Sequence, residues 1–336
     1  MSPGFRDKLD EVPTDQLRLT LEVEDPFRLD LTVWTLRRRE HNLIDRWDGQ
    51  CYRRTLVVDD EPIEVAARQR PTAGHPSDQP SRLDLDLRAG HTGLDDGSVA
   101  ECHHIIERTL GLEVDLDGFY RLAHDDPHLC TLSRRVFGMR PPCFPSVFEA
   151  VVNAIACQQI SLVVGIHLLN RLTQRFGVAL STDADAQPAF PTPERMAEAD
   201  PTELRELGFS GAKARAVIEL AQQVAVGIID LEALRGEDDQ TASKVLLGLT
   251  GVGRWSTEYT LLRGLRRWHV FPGDDVGAGN NLKRLFELAD SPGYDSIATL
   301  TRGWAPYSGL VYFHLLLDGL AGSGPLPGDH PEALHS

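Results

Sequence analysis

The sequence lacks any run of about 18 consecutive apolar residues, so it predicts no membrane-spanning helix. Its first segment, from Met1 to Arg18, is polar and contains no apolar core of the kind that a secretory signal peptide requires. These two absences favour a cytoplasmic protein that does not bind membranes. At 336 residues, 41% of them hydrophobic, the chain is long enough for two or three domains with substantial cores.

Cysteine is scarce and unevenly placed, with five residues in all and none after Cys157. An odd, scattered set of this kind excludes a disulfide framework. Two segments mix histidine with cysteine, Cys102-His103-His104 and the group His124, His128 and Cys130. Neither has the regular spacing of a metal site, so no metal is expected.

Positive charge is also in short supply, because lysine occurs at only four positions and the net charge is −16. This balance excludes nucleic-acid binding through bulk electrostatic attraction. One segment differs: between Arg254 and Arg284, six basic residues occur against three acidic ones. The basic residues are Arg254, Arg263, Arg266, Arg267, Lys283 and Arg284. They predict a local basic rim with a compact footprint.

Apolar and polar residues alternate over several short runs in the first third of the chain, which is typical of strands. The runs are 19–23, 29–33, 56–58, 63–65 and 83–87, and a helix over 97–110 follows them. We therefore predict a small α+β domain with an antiparallel sheet over residues 19–115. Residues 1–18, which precede it, are expected to be a flexible leader.

From Gly118 onward the sequence pattern is helical. Ser146 and Glu149 predict a capping box, and Ser161 predicts the start of a helix that ends at Gly177. We expect a mainly α-helical domain over residues 116–320 and a disordered tail over 321–336. The predicted fold class is thus α+β, with the sheet domain first and the helical domain second.

The most informative stretch lies between two predicted helices, 241–248 and 254–265. Its residues are Leu249, Thr250, Gly251, Val252, Gly253, Arg254, Trp255 and Ser256. Gly251 and Gly253 allow a positive φ angle, so the stretch predicts a tight hairpin. Amide groups left unpaired at the start of the second helix suit a phosphate oxygen. The hairpin is therefore expected to hold a DNA backbone without reading bases.

This hairpin is followed by Tyr259 and by Phe271-Pro272-Gly273-Asp274-Asp275. Together these residues resemble the helix-hairpin-helix and Gly/Pro-Asp signature of the base-excision DNA glycosylases. Within that superfamily the chain resembles the DNA-3-methyladenine glycosylase II family, over roughly residues 19–320. The resemblance implies an N-terminal sheet domain and a helical helix-hairpin-helix glycosylase domain, in agreement with the predicted fold.

The resemblance places the catalytic carboxylate at Asp275, with Asp274 as its competitor. Breaking a C1′–N bond develops positive charge on the sugar, which a nearby carboxylate stabilises. The same group can direct the attacking water. A second interpretation is that both acids only cap a helix that starts near Asn280. The glycine-rich segment 276–281 predicts a loop, which would leave the carboxylate mobile.

Four aromatic residues are candidates for the base pocket: Trp255, Tyr259, Trp304 and Tyr307. Trp255 and Tyr259 are four residues apart on one predicted helix face, and an aromatic face suits a cationic alkylated base. Trp304 and Tyr307 resemble the late pocket segment of the family. Each could instead belong to the core. Gln159 and Ile160, at a predicted helix break, resemble the wedge that replaces a flipped nucleotide.

The resemblance implies a monofunctional glycosylase that flips alkylated purines, such as 3-methyladenine and 7-methylguanine, out of double-stranded DNA. Trp255 stands where bifunctional relatives carry the lysine that forms a Schiff base, so no lyase activity is expected. The four-cysteine loop of iron–sulfur relatives is absent, and no cofactor is predicted. A monovalent cation at the hairpin is compatible with the family, and we expect a monomer. Two alternatives are a glycosylase for an oxidised or deaminated base and a non-catalytic lesion-binding protein.

Overall fold

The computed structural model describes residues 15–70, 81–181 and 186–321, and the secondary structure of these residues is as follows. The strands are β1 (Gln16–Val23), β2 (Arg46–Trp47), β3 (Tyr52–Val58), β4 (Glu61–Gln69) and β5 (Ser81–Ala89). The first helices are α1 (Leu29–Arg37), α2 (Asp96–Leu110), α3 (Asp117–Asp125), α4 (Pro127–Arg135), α5 (Val147–Cys157) and α6 (Leu162–Phe176). The later helices are α7 (Pro193–Ala197), α8 (Pro201–Glu206), α9 (Gly211–Ala225), α10 (Asp239–Leu247), α11 (Arg254–Arg263), α12 (Val276–Leu285), α13 (Tyr294–Thr301) and α14 (Ser308–Ala321).

The strands form one antiparallel sheet in the order β1-β5-β4-β3-β2. One face is apolar because residues two apart on a strand point the same way. On β5, for example, Leu83, Leu85 and Leu87 are all buried, whereas the charged residues between them lie on the other face. The predicted antiparallel sheet domain followed by a helical domain is confirmed. In the described part of the chain, every helix is too short or too polar to cross a membrane.

The segment 29–33 is a correction, since we expected a strand and it lies within α1. Leu29, Leu31 and Val33 are buried against the sheet core or α14, and Thr32 is buried as well. In a helix that is buried on most sides, apolar residues do not recur with the 3.6-residue period. A segment of five such residues therefore cannot be told from a strand by its sequence pattern. Beyond its end, Arg38 adopts the left-handed conformation with φ 60°.

The predicted flexible leader over residues 1–18 is wrong at its end, because β1 begins at Gln16 and pairs with β5 along its whole length. The remainder of that leader, residues 1–14, lies outside the described residues. The predicted disordered tail over 321–336 begins at the last residue of α14, and residues 322–336 also lie outside the described part.

Helix starts in the second domain follow the sequence signals closely. Ser161 caps α6 through the amide of Val164, as predicted. The capping box expected at α5 is only half formed: the Ser146 hydroxyl accepts from the amide of Glu149, at 3.1 Å. The carboxylate of Glu149 is instead bound by Arg54 on β3. A long-range ion pair thus replaces the local hydrogen bond.

Arg54 joins the sheet to the helical domain through two buried carboxylates. Its Nη1 donates to Oδ1 of Asp45 at 2.6 Å, and its Nη2 donates to Glu149. All three side chains are nearly inaccessible to solvent. Burial by itself would lower the pKa of the Arg54 guanidinium. The two carboxylates outweigh it and hold that pKa well above its ordinary value. The cluster fixes β3 against α5.

Three further helix contacts build the frame around the site. Helices α10 and α11 pack side by side, and α11 also packs on α5. Helix α14 packs against α1, with Leu31, Phe313 and Leu317 in one buried cluster. As a result, the ends of α1, α5 and α14 and the start of α11 converge on a single region.

His314 on α14 is fully buried, and burial lowers its pKa to about 4 from an ordinary 6.5. The unfolded chain therefore takes up a proton at a higher pH than the folded protein does. The contribution of neutral His314 to the free energy of unfolding is fully present above pH 6.5. As the pH falls toward 4, about 3 kcal/mol of it is lost. We expect His314→Leu to weaken the acid sensitivity of the melting temperature between pH 7 and pH 5. If the melting temperature fell by the same amount from pH 7 to pH 5 in the variant and in the wild type, the assignment would be contradicted.

Candidate active site

A cavity of about 1130 Å³ opens where these elements converge. Its wall combines the end of α1, the junction between α5 and α6, the hairpin, the start of α12 and one face of α14. The lining residues used below are Arg38, Arg39, Cys157, Gln158, Gln159, Ile160, Trp255, Tyr259, Asp274, Asp275, Tyr312 and Leu316. Segments that are far apart in sequence thus form one site.

The hairpin between α10 and α11 lies where it was predicted, but only one of its two glycines has a positive φ angle. Gly251 has φ +77°, and a Cβ there would lie 2.9 Å from the side chain of Ala216. Gly253, with φ −107°, does not use the left-handed region that we expected for it. It precedes α11 without a side-chain cap, so the first amides of that helix are available to an anion. Leu249 and Val252 are buried and anchor the turn in the core.

Asp275 is the carboxylate with the most complete set of donors in the cavity. Its Oδ1 accepts from the backbone amide of Ala278 at 2.8 Å. Its Oδ2 accepts from Nε1 of Trp255 and from the hydroxyl of Tyr312, both at 3.1 Å. Burial, and then Asp275 itself, raise the pKa of Tyr312 well above its ordinary value, so this hydroxyl remains a donor. Three elements therefore hold one carboxylate in place.

The loop that we expected after Asp275 is not present. Helix α12 begins at Val276, directly after Asp275, which is its N-cap. The interpretation in which the acids cap a helix near Asn280 is therefore also wrong in position. Gly277 and Gly279 read as loop residues in the sequence, yet they lie in the first turns of α12. The carboxylate is held by a helix start, which also favours negative charge.

Asp274 has a different environment. Its two oxygens accept from Nε and Nη2 of Arg254, at 2.6 and 2.9 Å. The Arg254 guanidinium lies 3.8 Å from the centre of the Tyr294 ring. Tyr294 in turn donates to Glu258, whose other oxygen accepts from the amide of Gly273. Asp274 thus belongs to a cluster that fixes the segment leading into Asp275.

Two of the four aromatic candidates line the cavity. Trp255 and Tyr259 lie with ring centres 5.2 Å apart, and Trp255 is the more exposed of the two. Tyr259 is only 2% exposed, and its hydroxyl donates to Oδ1 of Asn153 at 2.9 Å. Its ring therefore forms the floor of the cavity, and Trp255 presents the larger accessible face.

Trp304 and Tyr307 are placed elsewhere, which corrects their assignment to the pocket. Trp304 is buried, donates to Asp126, and stacks on Phe286 with ring centres 5.7 Å apart. Tyr307 packs edge-on against Phe119. Both belong to an apolar cluster of α3, α4 and α14. Their aromatic character serves packing in this cluster.

Tyr312 and Leu316 line the cavity in their stead, and sequence reasoning missed them. They lie four residues apart on α14, so they share a helix face. This four-residue spacing, continued by Leu320 one turn further along, is the sequence pattern that could have identified this face of α14 as part of the cavity. It was hidden by the strongly apolar composition of the whole helix, seen in Leu310 and Phe313.

Two buried arginines beside Tyr259 were also missed. Arg38 donates from Nη1 to the Tyr259 hydroxyl at 2.9 Å and from Nη2 to Asn153 at 3.0 Å. Arg263 is fully buried with its guanidinium 5.6 Å from the Tyr259 ring centre. Nothing in its sequence spacing marks Arg38, because Arg38 and Tyr259 are 221 residues apart. Arg263 lies four residues after Tyr259 on α11, but the sequence analysis counted it only in the basic rim.

The segment between α5 and α6 forms a ridge beside the cavity. Gln159 is exposed with φ 54°, and Ile160 is 39% exposed, an unusual state for isoleucine. Gln158 donates to the carbonyl of Gly251 at 2.8 Å and also to Ser256. The predicted wedge and the predicted backbone grip are therefore tied together.

The predicted basic rim is largely neutralised. Arg263 is buried, and four of the other basic residues are ion-paired with acidic side chains. The pairs are Arg254 with Asp274, Arg266 with Glu113, Arg267 with Asp239 and Arg284 with Asp318. The expectation of a local basic rim counted charges in the sequence without their spatial partners.

Comparison with known proteins agrees with this geometry. Residues 152–306 match the family model described as HhH-GPD superfamily base excision DNA repair protein. The chain is 30% identical over 210 residues to a DNA-3-methyladenine glycosylase of Bacillus subtilis, covering 62% of this chain and 69% of that protein. It is 37% identical over 180 residues to DNA-3-methyladenine glycosylase 2 of Escherichia coli, covering 53% and 60%.

A solved structure extends the likeness to both domains. The 3-methyladenine DNA-glycosylase of Archaeoglobus fulgidus superposes with a TM-score of 0.76 at 25% identity, over 90% of this chain and 98% of that one. Sequence, fold and the hairpin with its following aspartate therefore lead to the same assignment. The chain belongs to the HhH-GPD superfamily of base excision DNA repair proteins, and within it to the DNA-3-methyladenine glycosylase II family.

Proposed function

We propose that this chain is a monofunctional DNA N-glycosylase that removes alkylated purines, such as 3-methyladenine and 7-methylguanine, from double-stranded DNA. The observation that carries the proposal is the Asp275 carboxylate. Donors from α11, α12 and α14 hold it at the wall of a cavity large enough for a purine. The names of its relatives support an alkylated base as the substrate.

In the proposed reaction the C1′–N bond breaks and its electron pair stays with the base. The sugar then carries positive charge, which the fixed Asp275 carboxylate stabilises without having to reorganise. Water attacks C1′ and passes a proton to Asp275. The products are a free base and an abasic site.

Backbone binding is assigned to the hairpin, whose amides at the start of α11 face solvent without a side-chain cap. The flipped base enters the cavity and lies against Trp255. Gln159 and Ile160 fill the space that it leaves in the duplex, since both are exposed at the ridge beside the cavity. The enzyme acts as a monomer.

The amines near the site support the expected absence of lyase activity. The side chains that line the cavity, among the described residues, include no lysine. Lys213 lies outside the cavity lining, and its Nζ donates to the carbonyls of Ala156 and Gln158 at 2.9 and 2.6 Å. An amine held in this way is not available to form a Schiff base.

The test is base release from methylated duplex DNA, followed with and without alkali. We expect free 3-methyladenine and 7-methylguanine, and strand breaks that appear only after alkali cleaves the abasic sites. Breaks that form without alkali would contradict the monofunctional assignment. If the protein binds the methylated duplex and releases no base, it is a lesion-binding protein.

A further inference from the structure

Lys213 on α9 binds the ridge between α5 and α6 from outside the base-binding cavity. Its Nζ donates to the carbonyl of Ala156 at 2.9 Å and to the carbonyl of Gln158 at 2.6 Å. Helix α5 ends at Cys157, so both carbonyls lie at its C-terminal end, where the helix itself supplies no donors. A cation at that end is also stabilised by the helix dipole. Lys213 therefore holds the point at which the chain leaves α5.

The ridge that starts there has an unfavourable backbone conformation. Gln158 is extended, with φ −58° and ψ 136°, and Gln159 follows it with φ 54°. A positive φ angle is unfavourable for a residue with a side chain, and it persists where the surroundings hold it. The holding contacts are on Gln158: Lys213 binds its carbonyl, and its Nε2 donates to the carbonyl of Gly251 at 2.8 Å. The exposed side chains of Gln159 and Ile160 are thus carried by a residue that is anchored on two sides.

The position of Lys213 separates it from the base. It lines a second, smaller hollow of about 260 Å³, together with Thr250 and Gly251 of the hairpin. Gln158, at the start of the ridge, lines both this hollow and the base-binding cavity, so it stands between the two spaces. Any effect of Lys213 on a flipped base must therefore pass through the ridge.

On the proposed function, the ridge acts in the step in which the base leaves the duplex. That step costs stacking and pairing energy, and the cost is lowest for a mismatched base. Gln159 and Ile160 fill the space that the base leaves, which offsets part of the cost. Side chains that are already in place gain more from entering the duplex than mobile ones, because mobile side chains lose conformational entropy when they bind. A ridge that is held in advance therefore favours the flipped base over the stacked one.

We propose that Lys213 is a positioning residue for base flipping, which holds the ridge in the form that enters the duplex. The inference rests on the proposed glycosylase function. It assigns two separate steps to two residues: Lys213 affects the equilibrium between the stacked and the flipped base, and Asp275 affects cleavage of the flipped base. A lesion that is firmly paired then depends on Lys213. A lesion that leaves the duplex easily does not, because most of it is flipped in either case.

The experiment measures single-turnover release of 7-methylguanine from two duplexes, one with the lesion opposite cytosine and one with it mismatched opposite adenine. Lys213→Met keeps an unbranched side chain and removes both hydrogen bonds to the ridge. We expect it to slow release from the cytosine pair by about 10- to 10²-fold, the range that follows from losing hydrogen bonds to a charged group. Release from the mismatch should stay close to the wild-type rate. Lys213→Arg, which keeps a cationic donor, should preserve most of the activity on the cytosine pair.

Arg215→Met is the matched control, because Arg215 is an exposed cation on the same helix and lines the same hollow. It should leave the ratio of the two rates at the wild-type value, whereas Asp275→Asn should slow both duplexes alike. Equal slowing of both duplexes by Lys213→Met, with or without a lower melting temperature, would show that Lys213 only stabilises the fold and would overturn the inference. An unchanged rate on the cytosine pair would also overturn it and leave the proposed function intact. If the wild-type protein released 7-methylguanine from neither duplex, the proposed function itself would be refuted.

Discussion

Replacement of Asp275 by Asn should lower the single-turnover rate of base release by about 10²- to 10³-fold while binding to methylated duplex is retained. A rate loss of this size is typical when one preorganised electrostatic group is removed from an active site. The asparagine oxygen can still accept from the amide of Ala278, and asparagine caps helices as well as aspartate does. The protein should therefore stay folded, while the negative charge and the acceptor for Trp255 and Tyr312 are lost.

Asp274→Asn provides the matched control for this variant. Asp274 is the preceding residue, also lines the cavity, and is paired with Arg254. Its loss weakens an exposed ion pair, a change of about 0–1 kcal/mol in the free energy of unfolding. We expect its activity to remain near the wild-type value. A large loss with Asp274→Asn and a small one with Asp275→Asn would reverse the two assignments.

The second large effect concerns stability. Arg54→Met should lower the free energy of unfolding by about 3–5 kcal/mol, because it leaves the buried carboxylates of Asp45 and Glu149 without a cation. Chemical denaturation at neutral pH measures the change. Since Arg54 lies on β3 and Glu149 on α5, the loss should loosen the contact between the sheet and the helical domain.

Arg53→Met tests whether the effect depends on burial. Arg53 is the neighbouring residue on β3, and its ion pair with Asp48 is largely exposed. We expect a change of about 0–1 kcal/mol for this variant. Adding Asp45→Asn and Glu149→Gln to Arg54→Met should restore part of the lost stability, because no uncompensated charge then remains buried. If the two methionine variants were equally stable, the ion cluster would have no special role.

The sequence predicts local features of the site well, because they depend on short spacings. The hairpin at Gly251 and the acids at 274 and 275 lie within about one helix and a turn of each other, so their positions follow from residue order. Trp255 and Tyr259 share a helix face for the same reason.

Features that depend on distant segments could not be predicted in this way. Arg38 meets Tyr259 across 221 positions, and Tyr312 meets Asp275 across 37. The charge of Arg254 was visible in the sequence, but its partner was not. Trp304 shows the converse error: an aromatic residue near the site in sequence is used for packing in three dimensions.

The paired arginines around the site have a consequence for the search along DNA. A cation that already holds a carboxylate gains little when a phosphate takes its place, and few counterions are released in the exchange. Arg254, Arg266 and Arg284 all have such acidic partners. On the proposed function, we therefore expect undamaged duplex to be held only briefly, with long residence at a site where a base has entered the cavity. A strongly acidic protein can in this way inspect many positions without being trapped at any of them.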